Sequence, residues 1–421
     1  MNSSLASGPP PDQAVWTCPF CPLLCDRFQA RPDAHGVPQL HGSDCSVARA
    51  GLAACAAPAE ASPRRGGQAC TLDEAVQATA RHLAMARQPL MGGLGTDVAG
   101  ARALFGLARA TGAVADPAAG RALAQVLRAQ QDRGGYTTTL AEVRERADLI
   151  MMVGSWAPLR VPEMLPRALT GRADTPPTLV ALGCEAPATA HGVPVLVVPA
   201  RRDLFHSLAE LTALVAGRAV REPDTTLTEL ASQLRAARYA VLVWEPGQLG
   251  PQAALLIERL QQLIGLLNAK GRAAGFPLGG GDGAATVNQV FTWLSGLPLR
   301  SRLGPLGLEH EPLRFDAATL LAHGEVDALL WVSSYRAAEV PALASGWRIV
   351  LGLPALAQQL GDESRTIFIP VATPGVHTGG HLCRADGVVM LPLHAAMKTD
   401  LPLLGDVIRQ IQQALPQEVL A

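Results

Sequence analysis

Short unbroken apolar runs alternate along this chain with longer segments whose apolar residues recur at helical spacing. The runs at 89–95, 148–156, 178–183, 194–198, 239–244, 327–334, 348–353 and 366–371 are bounded by small or polar residues, which predicts strands buried on both faces. Between them the periodic segments predict helices over 98–111, 121–129, 139–146, 203–216, 227–237, 252–268, 285–294, 317–323 and 405–414. An earlier helix, running through residue 87, starts at a cap supplied by Thr71 or Asp73, and Thr79 interrupts its apolar stripe. Alternation of this kind makes a doubly wound α/β fold. The first part of the chain reads differently. Residues 1–13 are polar and Pro-rich and read as disordered; 14–70 hold short strands at 27–30 and 38–41, then an Ala- and Pro-rich loop over 54–68. Residues 296–315 read as irregular.

Segments 144–156 and 323–335 echo each other. Each runs from a helix end through an Asp (Asp148, Asp327) into an apolar strand and then small polar residues. The echo suggests two Rossmann-like halves, although any doubly wound chain repeats that pattern, and the two readings carry even weight. The expected division is a cysteine-rich metal-binding subdomain over 14–70, a first α/β region over 71–245, and a second with the C-terminal tail over 246–421.

Length and composition agree with several domains. A chain of 421 residues holds two or three domains of about 150 residues each. Charged residues make up 17%, below the roughly 25% usual for a soluble domain, so part of the surface is expected to be covered by other subunits. Net charge is −1 and aromatics are 4%, which gives no electrostatic or stacking basis for a nucleic-acid partner. No apolar run is long enough for a membrane span and no export signal opens the chain, so the expected location is the cytoplasm.

Candidate chemistry begins at Cys18, Cys21 and Cys25, joined later by Cys45. Clustered cysteines without an export signal read as metal ligands rather than disulfides. Four thiolates in this order can hold a [4Fe-4S] cluster or one zinc, and an empty site is the third alternative. Pro19 and Pro22 remove N–H donors beside two of the sulfurs, which makes metal binding firmer than redox tuning. A second candidate is the glycine-rich stretch 275–283, read as a loop, whose Gly279, Gly280 and Gly283 precede a helix and could turn backbone N–H groups toward a phosphate. Gly154 and Ser155, after the first echoing strand, form a comparable loop. His377, His381 and Cys383 have ligand-like types, but a loop supplying hydrogen bonds fits them better. A serine-hydrolase elbow, a zincin helix motif and a Walker loop are all missing from the sequence.

The cysteine stretch, residues 148–156, residues 275–293 with Asn288-Gln289-Val290, and residues 369–387 with Arg384-Ala385-Asp386-Gly387 together resemble the molybdopterin oxidoreductases, and more closely the B subunit of formylmethanofuran dehydrogenase. A related B subunit of methylotrophic bacteria belongs to the formyltransferase/hydrolase complex. The resemblance implies partners of the A, C and D subunit types and a methanofuran-type carrier, with a formyl group passed from tetrahydromethanopterin to that carrier and released as formate. It also implies tungsten or molybdenum on two pterins, held by a cysteine or selenocysteine in the stretch matching 112–121. Here that stretch has no cysteine, and Asp116 is its one ligand-type side chain. The expectation is therefore a subunit with no catalytic residues of its own and no tungsten or molybdenum pterin, in which Gly154, Ser155, Gly279, Gly280 and Gly283 are vestiges of cofactor loops; a catalytic formylmethanofuran dehydrogenase subunit is the alternative.

Overall fold

The Asp that precedes each echoing strand fixes where a neighbouring strand begins. The Asp148 carboxylate accepts the backbone N–H groups of Arg238 (2.8 Å) and Tyr239 (2.9 Å), at the start of the Ala240–Trp244 strand. Asp327 accepts those of Arg87 (2.8 Å) and Gln88 (3.0 Å), ahead of the Pro89–Gly95 strand. The same device thus registers a pair of parallel strands in each of two sheets. The computed structural model describes residues 15–56, 62–172, 175–305, 307–361 and 363–416. The disorder expected over 1–13 lies outside them.

The chain forms two compact units. One comprises residues up to 118, 282–383 and 390 onward; the other comprises 119–281 and 384–389. The second unit is thus an insertion in the sequence of the first. The expected boundary at 245/246 is not where the chain divides, because Ala240–Trp244 pairs along its length with Ala273–Pro277 in one sheet. A separate cysteine-rich subdomain is not distinguished either. Residues of that region belong to the first unit, and the Arg64–Arg65 and Gln68–Ala69 hairpin adds to the edge of its sheet.

In the inserted unit the parallel strands lie in the order Ala273–Pro277, Ala240–Trp244, Leu149–Val153, Thr178–Leu182, Val193–Val198. Chain order reverses between Ala240–Trp244 and Leu149–Val153. Leu242, Met151, Val180 and the helix residues Leu208, Leu230, Leu260 and Ile264 form one buried core. In the first unit the parallel order is Val114–Pro117, Pro89–Gly95, Ala328–Ser333, Trp347–Gly352, Thr366–Pro370, and the reversal falls between Pro89–Gly95 and Ala328–Ser333. Ligands of open α/β sheets bind at such reversals, beyond the carboxyl ends of the strands.

Local chemistry sets the helix ends. Asp97 accepts the Gly100 N–H (3.0 Å) and Gly112 turns left-handed at φ 64°, which bounds the Val98–Thr111 helix as its sequence predicts. Thr71 and Glu74 form a reciprocal capping box on Leu72–Met85, and Thr79 is tolerated in the buried stripe because its hydroxyl donates to the Ala75 carbonyl (2.8 Å). Two readings are corrected. Residues 296–315 contain a hairpin, Ser301–Gly304 with Gly307–His310, held by the Arg302–Glu309 ion pair. Residues 275–277 are strand, not loop: a Cβ on Gly275 would lie 2.4 Å from the Trp244 ring, so this glycine serves close packing.

Candidate functional site

The cysteine stretch packs into the first unit rather than standing apart. Trp16 bridges to Phe28 and donates its indole N–H to the Gly375 carbonyl (2.6 Å); the Cys18 N–H reaches the Cys25 carbonyl (2.9 Å). Phe20 lies so close to the Ser46–Ala56 helix that a Cβ on Gly51 would come within 2.4 Å of its ring. Arg336 donates to the Phe20 carbonyl (3.0 Å). Cys18, Cys21, Cys25 and Cys45 are each no more than 5% exposed. Four buried thiols from one loop and the start of one helix fit a thiolate-held metal in kind. Among the described residues, no three His, Cys, Asp or Glu side chains already stand as a metal-holding group.

The strand-order reversal of the first unit gathers polar groups in its core. Thr96 and Asp97 follow the Pro89–Gly95 strand, and Ser334, Tyr335 and Arg336 follow Ala328–Ser333. Gly283, a candidate from the sequence, caps the Ala284–Ser295 helix at φ 81°, and a Cβ there would lie 2.2 Å from the Thr96 carbonyl oxygen. Contact between two stretches of backbone therefore requires the glycine. Asp282 pairs with Arg336 at 2.8 Å. The hydroxyls of Thr96, Ser334 and Tyr335 are buried without a hydrogen-bond partner among the described residues. Burial, with Asp97, Asp282 and Cys55 nearby, pushes the Tyr335 phenol well above its ordinary range.

Asp116, the one ligand-type residue of 112–121, is fully engaged. Its Oδ1 meets Arg300 Nε at 3.1 Å and its Oδ2 accepts the Ala317 N–H at 2.8 Å. Arg300 also reaches Asp316 (2.5 Å) and the Pro312 carbonyl (2.5 Å). All three charged residues are buried. Burial outweighs Arg300 and raises the Asp116 carboxyl to about 6. With Ala113, Val114 and Ala115 buried beside it and no thiol in the stretch, these residues do not fit a thiolate- or selenolate-held tungsten or molybdenum.

The reversal of the inserted unit is occupied by a different cluster. Gly154 and Ser155 follow Leu149–Val153, and Glu245 follows Ala240–Trp244. Ser155 Oγ donates to Glu245 Oε2 (2.6 Å), while Arg160 grips both carboxylate oxygens (Nε to Oε1 2.8 Å, Nη2 to Oε2 2.6 Å). Cys184, one residue beyond Gly183 at the end of the next strand, is raised to about 11 by burial first and the Glu245 charge second. Gly154 has φ 73°, and its missing Cβ leaves room for Leu249 and Leu204. Gly279 and Gly280 lie in the loop after Ala273–Pro277; a Cβ on Gly279 would meet only the Pro246 ring, at ordinary contact distance.

The structure does not gather His377, His381 and Cys383 as ligands. His377 is buried, its Nδ1 accepting the Thr373 N–H (3.1 Å), and burial lowers its pKa. His381 is exposed, and Cys383 is buried with its N–H on the Thr286 hydroxyl (2.9 Å). Arg160, Glu245, Arg300, Asp316 and Tyr335 escape the sequence reading. Glu245 alone left a signal, as a carboxylate directly after a buried apolar run.

No protein-family model matches the chain. It is 34% identical over 320 residues to the B subunit of the formyltransferase/hydrolase complex Fhc from Methylorubrum extorquens, spanning 75% of this chain and 86% of that relative. It is 26% identical over 400 residues to the B subunit of the tungsten-containing formylmethanofuran dehydrogenase 2 from Methanocaldococcus jannaschii, covering 88% and 91%. The corresponding Methanococcus maripaludis protein is 24% identical over 415 residues, covering 92% and 95%. Among solved structures, a chain of the Methylorubrum extorquens FhcABCD complex with methylofuran superposes with a TM-score of 0.74 at 30% identity, over 85% of this chain and all of that one.

Proposed function

This chain belongs to the family of formyltransferase/hydrolase complex B subunits, and from that premise we propose that it is a structural subunit of such a complex in one-carbon oxidation. It holds catalytic partners of the A, C and D types together, so that a methanofuran-type carrier can move a formyl group between them on the way from tetrahydromethanopterin to formate. The complex works in the cytoplasm. Among the described residues no helix is long and apolar enough to cross a membrane.

The observation that carries this reading is Asp116. In the stretch that the resemblance matches to the metal anchor of the dehydrogenases, it is committed to Arg300 and the Ala317 N–H. The experiment is a tungsten, molybdenum and pterin analysis of the purified complex, with a dye-reduction assay on the formylated carrier. None of the three in stoichiometric amount and no dye reduction are expected. Stoichiometric tungsten or molybdenum with pterin, or carrier-dependent dye reduction, would overturn the reading. The 26% and 24% identities to tungsten-containing relatives favour a second reading, a catalytic formylmethanofuran dehydrogenase subunit, and the same assays separate the two.

Cys18, Cys21, Cys25 and Cys45 are proposed as ligands of one [4Fe-4S] cluster, which would supply one-electron chemistry when bound; zinc and an empty site are the alternatives. The support is four buried thiolate donors at cluster spacing. Anaerobic preparation is expected to give about four iron per chain, with a Cys21→Ser variant losing most of it. Zinc in place of iron, or metal content unchanged by the substitution, would reject the assignment. Gly154, Ser155, Gly279, Gly280 and Gly283 are proposed as vestiges of cofactor loops.

A further inference from the structure

Arg160 and Glu245 of the inserted unit are used neither by the cysteine stretch nor by the proposed subunit role, and Ser155 enters that role only as a vestige. With Ser155 they sit where the order of the five parallel strands of a six-stranded sheet reverses, the place at which such sheets receive ligands. A serine hydroxyl after the first strand and an arginine fork shortly beyond it are groups that suit an oxyanion. Here both are taken by one internal carboxylate. Glu245 receives the hydroxyl at 2.6 Å and the guanidinium through two nitrogens at 2.8 and 2.6 Å. The glutamate side chain is 8% exposed, whereas that of Arg160 is 42% exposed.

A purely structural ion pair is the competing account. A pair with one partner this exposed adds little net stability, because solvent screens the attraction. Its position, its donor types and the exposure of the arginine set it apart from the Asp116–Arg300–Asp316 network, which is buried throughout.

We propose that Ser155 and Arg160 form an oxyanion cradle at this reversal and that Glu245 is its built-in occupant, closing the inserted unit to phosphate-bearing ligands. Truncating Glu245 to alanine would remove the anion and free volume of roughly phosphate size beside the two donors. The cradle rests on the fold of the inserted unit and not on the subunit assignment, so its failure and the failure of that assignment are separately visible.

The test uses the full chain as wild type, Glu245→Ala, and Glu245→Ala combined with Arg160→Ala. Each is titrated with inorganic phosphate, then with a nucleoside monophosphate, against chloride at matched ionic strength, and followed by calorimetry and thermal shift. Wild type is expected to bind phosphate only weakly. The single variant is expected to bind phosphate at least about tenfold tighter, a difference of 1.4 kcal/mol, and the double variant to lose that gain. Equal binding by wild type and Glu245→Ala, or a gain that survives removal of Arg160, would overturn the proposal. If Glu245→Ala does not fold, Glu245→Ser removes the charge and shortens the side chain, which still opens the cradle. It must then bind phosphate measurably better than wild type, and failure to do so rejects the cradle.

Discussion

Replacing Arg300 with alanine is expected to destabilise the first unit by about 3–5 kcal/mol, the cost of leaving buried charges without their partner. The substitution strands Asp116 and Asp316, both buried, and frees the Pro312 carbonyl. Protection of the Val114, Ala115 and Asp116 amides against hydrogen exchange is the readout, because that strand carries Asp116. The opposite substitution should behave differently. Asp116→Asn keeps an oxygen for the Ala317 N–H and removes a carboxylate that burial already disfavours, so a change within about 1 kcal/mol is expected at neutral pH.

The two variants also differ in pH dependence. Asp116 is raised from 3.8 to about 6, so the folded state binds its proton more tightly than the unfolded chain does. Its contribution to stability is fully present below 3.8 and is lost as pH rises through about 6. Wild type should therefore lose roughly 3 kcal/mol across that window from this group alone, and Asp116→Asn should flatten that part of the profile. A wild-type profile that rises between pH 4 and 6 by more than Asp116→Asn does would show that Arg300, not burial, dominates the carboxyl.

These residues mark the limit of what the sequence could disclose. Helices such as Val98–Thr111 are legible because their caps are local: Asp97 at one end and Gly112 at the other. The Ser46–Ala56 helix is not: Ser43, Asp44 and Ser46 crowd its start without marking one cap, and Gly51 interrupts it to make room for Phe20. Gly275 reads as a loop residue because a glycine required by the Trp244 ring cannot be told, in sequence, from one required by a turn. Most of the parallel strands are legible one by one, Val114–Pro117 and Ala273–Pro277 being the exceptions, but their order is not. Ser155 and Glu245 are 90 residues apart, and Asp116 and Arg300 are separated by 184. Only the crossovers of each sheet bring such pairs together. The echo around Asp148 and Asp327 is visible, while its reason, a carboxylate receiving the first N–H groups of the adjacent strand, is a property of the paired strands.

The glycines that read in sequence as a phosphate loop separate on the same logic, and their substitution gives the second large effect. Gly283→Ala is expected to destabilise the first unit by about 2–5 kcal/mol, from a left-handed residue that now carries a Cβ and from overpacking. The Cβ would lie 2.2 Å from the Thr96 oxygen and 2.9 Å from its nitrogen, and neither can turn aside as a flexible side chain would. Relief would require the Ala284–Ser295 helix to retreat from Thr96, beside Asp282 and its partner Arg336. Gly279→Ala meets only two atoms of the Pro246 ring, at 3.5 and 3.6 Å, and should stay within about 0.5 kcal/mol of wild type. Thermal unfolding of both variants, with hydrogen exchange at Pro89–Gly95, measures the difference. If the two glycines proved equally tolerant of alanine, backbone contact at Thr96 could not be the reason for Gly283, and a ligand against that helix start would become the better account.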